Sequence, residues 1–400
     1  PGRFMSAAWF RACRWALEAA RAEGMRVWIN DDIDYPPGNL GGRMRKLAPE
    51  AYHRELVCER REMRGGERLG LTAGDGELVS AVAARRGEGL EGAVDLPAGG
   101  AAEWMAPAGR WVAWIVRQRR LKRPEGFLHQ FPSFLDPDVS RLFIEHVYEA
   151  YERHLGEFFG DPLKGFFSDC DARRLHLFPW ARRFAERFEE IKGYDPRPLL
   201  PALWEDFGET SRQFRYDYRH VLSLLYSQWF ENIHNWLRRR GLLYTYHTSD
   251  SGPFVPPGMD AASLRRRMAG EEAGPWPEPP ASCARSSYFS EGRYHEVNRH
   301  ADFVGTDHEL LALAGQLHFG MSFRGKEEDW RPKTAVWGLG CTHADYRRVL
   351  TPNKTYGDIR ARFAGSVARL WGRRGAMCEL YAASNWGATL DDFRWIGAWQ

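Results

Sequence analysis

Residues 24–32, Gly24-Met25-Arg26-Val27-Trp28-Ile29-Asn30-Asp31-Asp32, decide the fold. The run before them, Ser6 to Glu23, places Trp9, Phe10, Cys13, Ala16, Leu17 and Ala20 at helical spacing, and Gly24 suits the position just past a helix end. Met25 to Ile29 then reads as a buried strand. It delivers Asn30, Asp31 and Asp32 at its C-terminal end, and Tyr35-Pro36-Pro37-Gly38 turns the chain away.

The same unit of helix, glycine, apolar run and polar residues recurs. Val139 to Phe159 carries Leu142, Phe143, Val147, Ala150, Tyr151, Leu155 and Phe158 on one face, and after Gly160 the strand Leu163 to Phe167 ends in Ser168-Asp169-Cys170-Asp171. A helix from Ser211 to Arg239 precedes Gly241 and the strand Leu242 to Tyr246, which ends at His247. A helix from Tyr356 to Trp371 leads into Ala376-Met377-Cys378 and ends at Glu379, and a weaker copy, Ala301 to Val304, ends in Asp307-His308-Glu309.

Helices alternating with short buried strands predict parallel βαβ units. No G-x-G-x-x-G follows any strand, so a (β/α)8 TIM-like barrel is expected rather than a dinucleotide fold. The pattern implies a barrel incomplete at both ends, with strands missing before Pro1 and after Gln400. Residues 1–53 read as its N-terminal part, 54–118 as a small inserted β-rich module with alternating stretches such as Glu77 to Ala83, and 119–400 as the rest of the barrel with long loops. The Pro- and Gly-crowded stretch Ser251 to Pro280 reads as one such loop.

Composition narrows the function classes. Lys plus Arg number 56 against 53 Asp plus Glu, a formal charge of +3 that gives no whole-chain basic footprint for nucleic acid or anionic lipid. No apolar run reaches the ~18 residues of a membrane span. The six cysteines show no C-x-x-C spacing, which argues against a zinc ribbon or a small disulfide framework. No G-x-S-x-G elbow, P-loop or EF-hand loop is present. The string His295-Glu296-Val297-Asn298-Arg299-His300 spaces its histidines five apart, which on a helix puts them on different faces, so it is no zinc motif.

Acidic side chains gathered at strand ends are what glycosidic cleavage requires, one carboxylic acid protonating the leaving oxygen while a carboxylate activates water or attacks the sugar. Glu379, alone after an apolar strand, is the first catalytic candidate; its plain alternative is an ion pair with one of the many arginines. Asp169 and Asp171 bracket Cys170, and adjacent side chains on an extended segment point in opposite directions, so at least one of them is expected to face the site. Asp31 and Asp32 could bind sugar hydroxyls or a cation, or could form an Asx turn into the following loop. His247 is a candidate for hydrogen bonding a substrate hydroxyl, and Asp307 and His308 form a polar cluster after their strand. The 17 tryptophans exceed ordinary core needs, and Trp386 is among those placed to stack on a sugar, although core packing accounts for most of them.

These residues resemble a known family. Val27-Trp28-Ile29-Asn30-Asp31-Asp32 with Pro37-Gly38 and Gly41-Gly42 is similar to the W-I-Y-D-E, W-P-S-G and A-G-G stretches of the α-L-rhamnosidase-like glycoside hydrolases, family 106 and its relatives. Leu135-Asp136-Pro137 resembles D-x-L-D-P, Gly165-Phe166-Phe167-Ser168-Asp169 resembles G-F-F-T-D-E-P, and Gly193-Tyr194-Asp195 with Leu200-Pro201-Ala202-Leu203 resembles G-Y-D and L-P-x-L. Val304 to His308 is similar to P-G-x-D-H, and Cys378-Glu379-Leu380-Tyr381 with Asn385-Trp386-Gly387 to S-E-x-[YF] and G-W. The resemblance implies a (β/α)8 barrel, glycoside substrates, rhamnosides among them, catalysis by carboxylates, and a secreted or periplasmic setting. No cofactor is required; calcium enters through the resemblance alone.

The chain departs from the pattern where the family has the Glu of T-D-E-P, since Cys170 stands there and Asp171 replaces the following Pro. A thiol, with an ordinary pKa near 8.5, is a poor substitute for a carboxylic acid. The expectation is therefore a glycosidase using Glu379 with Asp169 or Asp171, against two others: a carbohydrate-binding barrel impaired at Cys170, and a structural subunit using its aromatic surface.

Overall fold

The computed structural model describes residues 3–33, 37–72, 74–96, 103–120, 132–170, 178–248, 294–307 and 357–379 together with 390 and 394, with the backbone alone at 294, 307, 357–363 and 379. Ser6 opens the first helix, Ala7–Ala22, by accepting from the Trp9 amide at 3.3 Å, and the helix buries Phe10, Leu17 and Ala20. Gly24 closes the turn at φ +64°, a left-handed backbone that costs a residue with a Cβ. Strand β1 (Val27–Asn30) starts later than the pattern predicts, because Met25 belongs to the turn: its amide bonds the Ala20 carbonyl at 2.8 Å and its side chain is exposed. Nor is β1 buried throughout, since Trp28 and Asn30 are exposed and Val27 and Ile29 only half-buried.

An antiparallel region follows, with β2 (Arg54–Arg64), β3 (Arg68–Gly70), β4 (Glu77–Arg85), β5 (Val94–Asp95), β6 (Glu103–Met105) and β7 (Arg110–Arg120). Strand β7 lies between β4 and β2, and its alternate side chains serve two cores. Trp111, Ala113 and Ile115 pack with Met63, Leu71 and Leu69, the last from the two-stranded β3–β6 sheet, while Val112, Trp114 and Val116 join the main core with Leu200, Ala202 and Leu203. Glu205 fastens this contact, accepting from Trp114 Nε1 at 2.7 Å and pairing with Arg60 Nε at 2.9 Å.

The chain then resumes helix and strand. Asp136 caps the helix Pro137–Phe143 by accepting from the Asp138 amide at 3.0 Å, with Pro137 in the first turn, where its missing N–H costs nothing. A π-helical turn, Ile144–Tyr148, joins it to the helix Glu149–Leu155, which leads to β8 (Leu163–Cys170). Strand β9 (Pro179–Trp180) pairs with β2 and so ties the inserted region to the main body by hydrogen bonds as well as by apolar contact. The 30-residue helix Glu209–Arg238 precedes β10 (Leu243–Thr248), the short helix Tyr294–Val297 precedes β11 (Phe303–Asp307), and the helix Gly357–Leu370 precedes β12 (Gly375–Glu379).

The result is a mixed α/β architecture with a parallel sheet of five described strands, in the order β1-β8-β10-β11-β12. One face packs on the helices: Phe166 meets Tyr148 and Tyr151 edge to face, and Tyr246 stacks on Phe230 with ring centroids 4.1 Å apart. Each such fully buried aromatic contributes about 1.5–3 kcal/mol through removal from water. On the other face the ring of Trp28 in β1 reaches Phe303 in β11 at 6.3 Å across two intervening strands, over Gly165, where a Cβ would stand 2.6 Å from the indole. At about 4.8 Å per strand a flat sheet would hold those strands about 14 Å apart. Two large side chains reaching toward each other over Gly165 span that distance on the face opposite the helices.

Candidate active site

Parallel pairing keeps side chains of one row on one side of the sheet, so register decides which strand-end residues can meet. Strand β8 runs three residues beyond Phe167, and its last residues alternate accordingly. Phe167 and Asp169 face the side that carries Trp28, where Phe167 lies against the His247 ring at 5.2 Å and Asp169 Oδ1 is 3.8 Å from His247 Nε2. His247 is 1% exposed and the Asp169 side chain 27%. His247 pairs in register with Asp169 on one side and Gly305 on the other, and Gly305 pairs with Met377. Two residues on, Asp307 and Glu379 are register partners of each other. A Cβ at Gly305 would lie 2.3 Å from the Tyr246 carbonyl oxygen, so a glycine is what lets β11 run this close to the strand carrying His247.

Asp31 is a correction to the expected set. It follows β1 on the helix-facing side, fully buried, where Oδ2 accepts from the Tyr148 hydroxyl at 2.5 Å and from the Ser168 hydroxyl, which also bonds Tyr244 at 2.8 Å. Oδ1 has no hydrogen-bond partner among the described residues. Burial pushes the carboxyl up to about 7, the Ser168 and Tyr148 hydrogen bonds working against that rise and the nearby Asp32 adding to it. Neither a sugar nor a cation on the Trp28 face meets this group.

Asp32 resolves in favour of the turn. Its carboxylate accepts from the amides of Ile33, Gly38 and Leu40 at 2.8, 3.0 and 3.1 Å, and it is buried. It shapes the loop after β1 and has no free face for a ligand. Cys170 is also displaced from the expected site: fully buried and paired in register with Thr248, it follows Phe166 and Ser168 on the helix side. The extra strand length explains this, because a loop starting at Ser168 would have freed position 170 to turn either way. Asp171, His308 and Trp386 lie outside the described residues, and Asp307 and Glu379 are placed by backbone register alone.

Several motif stretches that carry the family resemblance turn out to hold the scaffold. Asp136, besides capping its helix, takes Arg182 Nε at 2.8 Å. Gly193 ends the helix Phe184–Lys192 at φ +81°, Tyr194 donates to Asp217 at 2.9 Å, and Asp195 takes the Arg197 amide at 2.9 Å. Tyr148, Ser168 and Tyr244, which surround Asp31, were not singled out by sequence; a strict period of two carried through Cys170 would have put Ser168 opposite Asp169. Among the described residues no group of three or more His, Cys, Asp and Glu side chains could hold a metal ion.

With this geometry in place, comparison with known proteins is informative. A family model described as alpha-L-rhamnosidase, of glycoside hydrolase family 106, matches residues 93–271, a stretch that includes β7, β8 and β10 with Asp169 and His247. The chain resembles the α-L-rhamnosidases. Among solved structures, the rhamnosidase from Novosphingobium sp. PP1Y superposes with a TM-score of 0.53 at 14% identity, over 94% of this chain and 47% of that one. At that identity the likeness speaks for the fold, and this α-L-rhamnosidase-like chain spans about half the length of that neighbour. No curated protein matches it. No described helix is long and apolar enough to cross a membrane.

Proposed function

We propose that this chain is the catalytic (β/α)8 portion of a glycoside hydrolase acting on α-L-rhamnosides. Support comes from one observation above the rest: a partly exposed carboxylate, Asp169, sits at the C-terminal end of a parallel sheet, in the rows that lead to Asp307 and Glu379. Barrel enzymes build their sites at that end. In this reading Glu379 activates water or attacks the anomeric carbon, and Asp169 or Asp171 protonates the departing oxygen. Asp307, His308 and Trp386 contact the sugar. Asp31, Asp32 and Cys170 act in the scaffold, and no step is routed through calcium.

The test is a panel of aryl glycosides including an aryl α-L-rhamnoside. Wild-type turnover is expected, and Glu379→Gln and Asp169→Asn should each lower kcat by about 10²–10⁴ while the protein stays folded. Absence of turnover on every member of the panel would remove the glycosidase reading. The second reading, a carbohydrate-binding barrel without turnover, is favoured by Cys170 in the place of the family's Glu; it is supported if the inactive protein still binds L-rhamnose in calorimetry.

A further inference from the structure

We propose that His247 is a positioning residue that holds the carboxylate of Asp169 in place, and not a ligand of the sugar; this rests on the glycosidase reading above. The two side chains share one register row on adjacent strands, with Nε2 3.8 Å from Oδ1. Their exposure differs in the direction the assignment needs. At 1% exposure the imidazole offers a substrate almost no surface, whereas Asp169 at 27% does.

The neighbours fix the ring. Phe167 lies against one side of it at 5.2 Å, from the row below on the strand that carries Asp169. On the other flank the row continues with Gly305, which carries no side chain, and the close approach of β11 to the Tyr246 carbonyl leaves no room for a larger residue at that position. Phe167 limits how the buried ring can turn, and Nε2 is the ring nitrogen that lies near Asp169. Such a contact typically shortens to a full hydrogen bond when substrate closes the site. A carboxylate on a flexible strand end gains its catalytic geometry from a rigid neighbour of this kind, and an ångström of misplacement costs about 10²-fold in rate.

The experiment is steady-state kinetics on an aryl α-L-rhamnoside with Asp169→Asn, His247→Gln, His247→Phe and the double variant Asp169→Asn/His247→Phe. L-rhamnose binding by calorimetry and the thermal midpoint are measured alongside. His247→Phe should lower kcat by about 10–100-fold with KM and L-rhamnose affinity within about twofold of wild type. His247→Gln, whose amide can still donate to the carboxylate, should retain most of the rate. The double variant should be no slower than Asp169→Asn alone, since a residue acting through another has nothing left to position.

Three results overturn the assignment: a raised KM and weakened L-rhamnose binding with kcat kept, which would make His247 a sugar ligand; losses that multiply in the double variant; or a His247→Phe enzyme as fast as wild type. Should His247→Phe fail to fold, His247→Ala replaces it in the single and double variants, with His247→Gln again the variant expected to keep the rate. A wild-type chain inactive on every glycoside brings down the glycosidase reading and this assignment together, whereas an active wild type with any of the three results removes this assignment only.

Discussion

Tyr148 donates its hydroxyl hydrogen to Asp31 at 2.5 Å, joining the π-helical turn before β8 to the residue just after β1. The carboxyl it contacts is fully buried and its pKa is lifted to about 7, so the folded chain carries a proton there that the unfolded chain releases near pH 4. Between those values the folded state binds more protons, and stability therefore falls as pH climbs from about 4 through 7, then levels off.

Asp31→Asn should remove that slope. Relative to wild type the variant should gain of order 2–4 kcal/mol between pH 5 and pH 8, since each tenfold difference in proton affinity between the folded and unfolded chain is worth about 1.4 kcal/mol. Chemical denaturation at both pH values checks it. Parallel pH curves for the two proteins would show that Asp31 is not the group responsible.

Cys170→Glu should destabilise the chain rather than add a catalytic acid. The position is fully buried on the helix-facing side and paired in register with Thr248, so a carboxyl placed there is withdrawn from water. A loss of more than about 3 kcal/mol is expected, with Cys170→Ala costing about 1 kcal/mol. A Cys170→Glu protein as stable as wild type and faster on natural glycosides would reverse the placement of this residue.

Gly305→Ala should separate β11 from β10, since its Cβ would meet the Tyr246 carbonyl oxygen at 2.3 Å. Backbone contacts of this kind do not relax by rotating a side chain, so at least about 2 kcal/mol of stability should go, together with activity, because His247 occupies the same row. An alanine variant with an unchanged thermal midpoint would show that the strands part without cost.

Glu205→Ala should strip Trp114 Nε1 and Arg60 of their shared acceptor. The buried indole N–H is then left without its carboxylate, and the expected loss is about 1–3 kcal/mol, with Glu205→Gln recovering part of it by keeping a carbonyl acceptor. Equal midpoints for wild type and Glu205→Ala would place the attachment of the β-rich region elsewhere.

The alternation of helix, glycine and strand was readable because Gly24, Gly160, Gly241 and Gly372 take positive φ at the turns that end helices, and only glycine does so without penalty. The cap at Asp136 and Pro137 lies in a stretch read only for its resemblance, although an Asp-Pro pair ahead of an apolar helix carries that signal. Strand ends were not readable, because nothing local distinguishes Ser168-Asp169-Cys170 as the last residues of a strand from the first of a loop, and that single ambiguity decides on which side Cys170 falls. Asp31 and Asp32 illustrate a second limit: two adjacent carboxyls have one composition, yet one is enclosed by hydroxyls from distant elements and the other holds three amides of its own loop. The Tyr148 hydroxyl could not be foreseen from a 3.6-residue period, since the π turn inserts a residue and rotates the phase.

Because β7 sends alternate side chains into two separate hydrophobic clusters, it behaves as a party wall rather than as the skin of an appendage. Excising the segment from Arg54 to Arg120 would leave Leu200, Ala202 and Leu203 facing water. The inserted region is thus not an interchangeable accessory that recombination could shuffle between otherwise intact hosts. Heat should melt it in the same cooperative transition as the parallel sheet, and a lineage could discard it only by rebuilding the surface against which it lies.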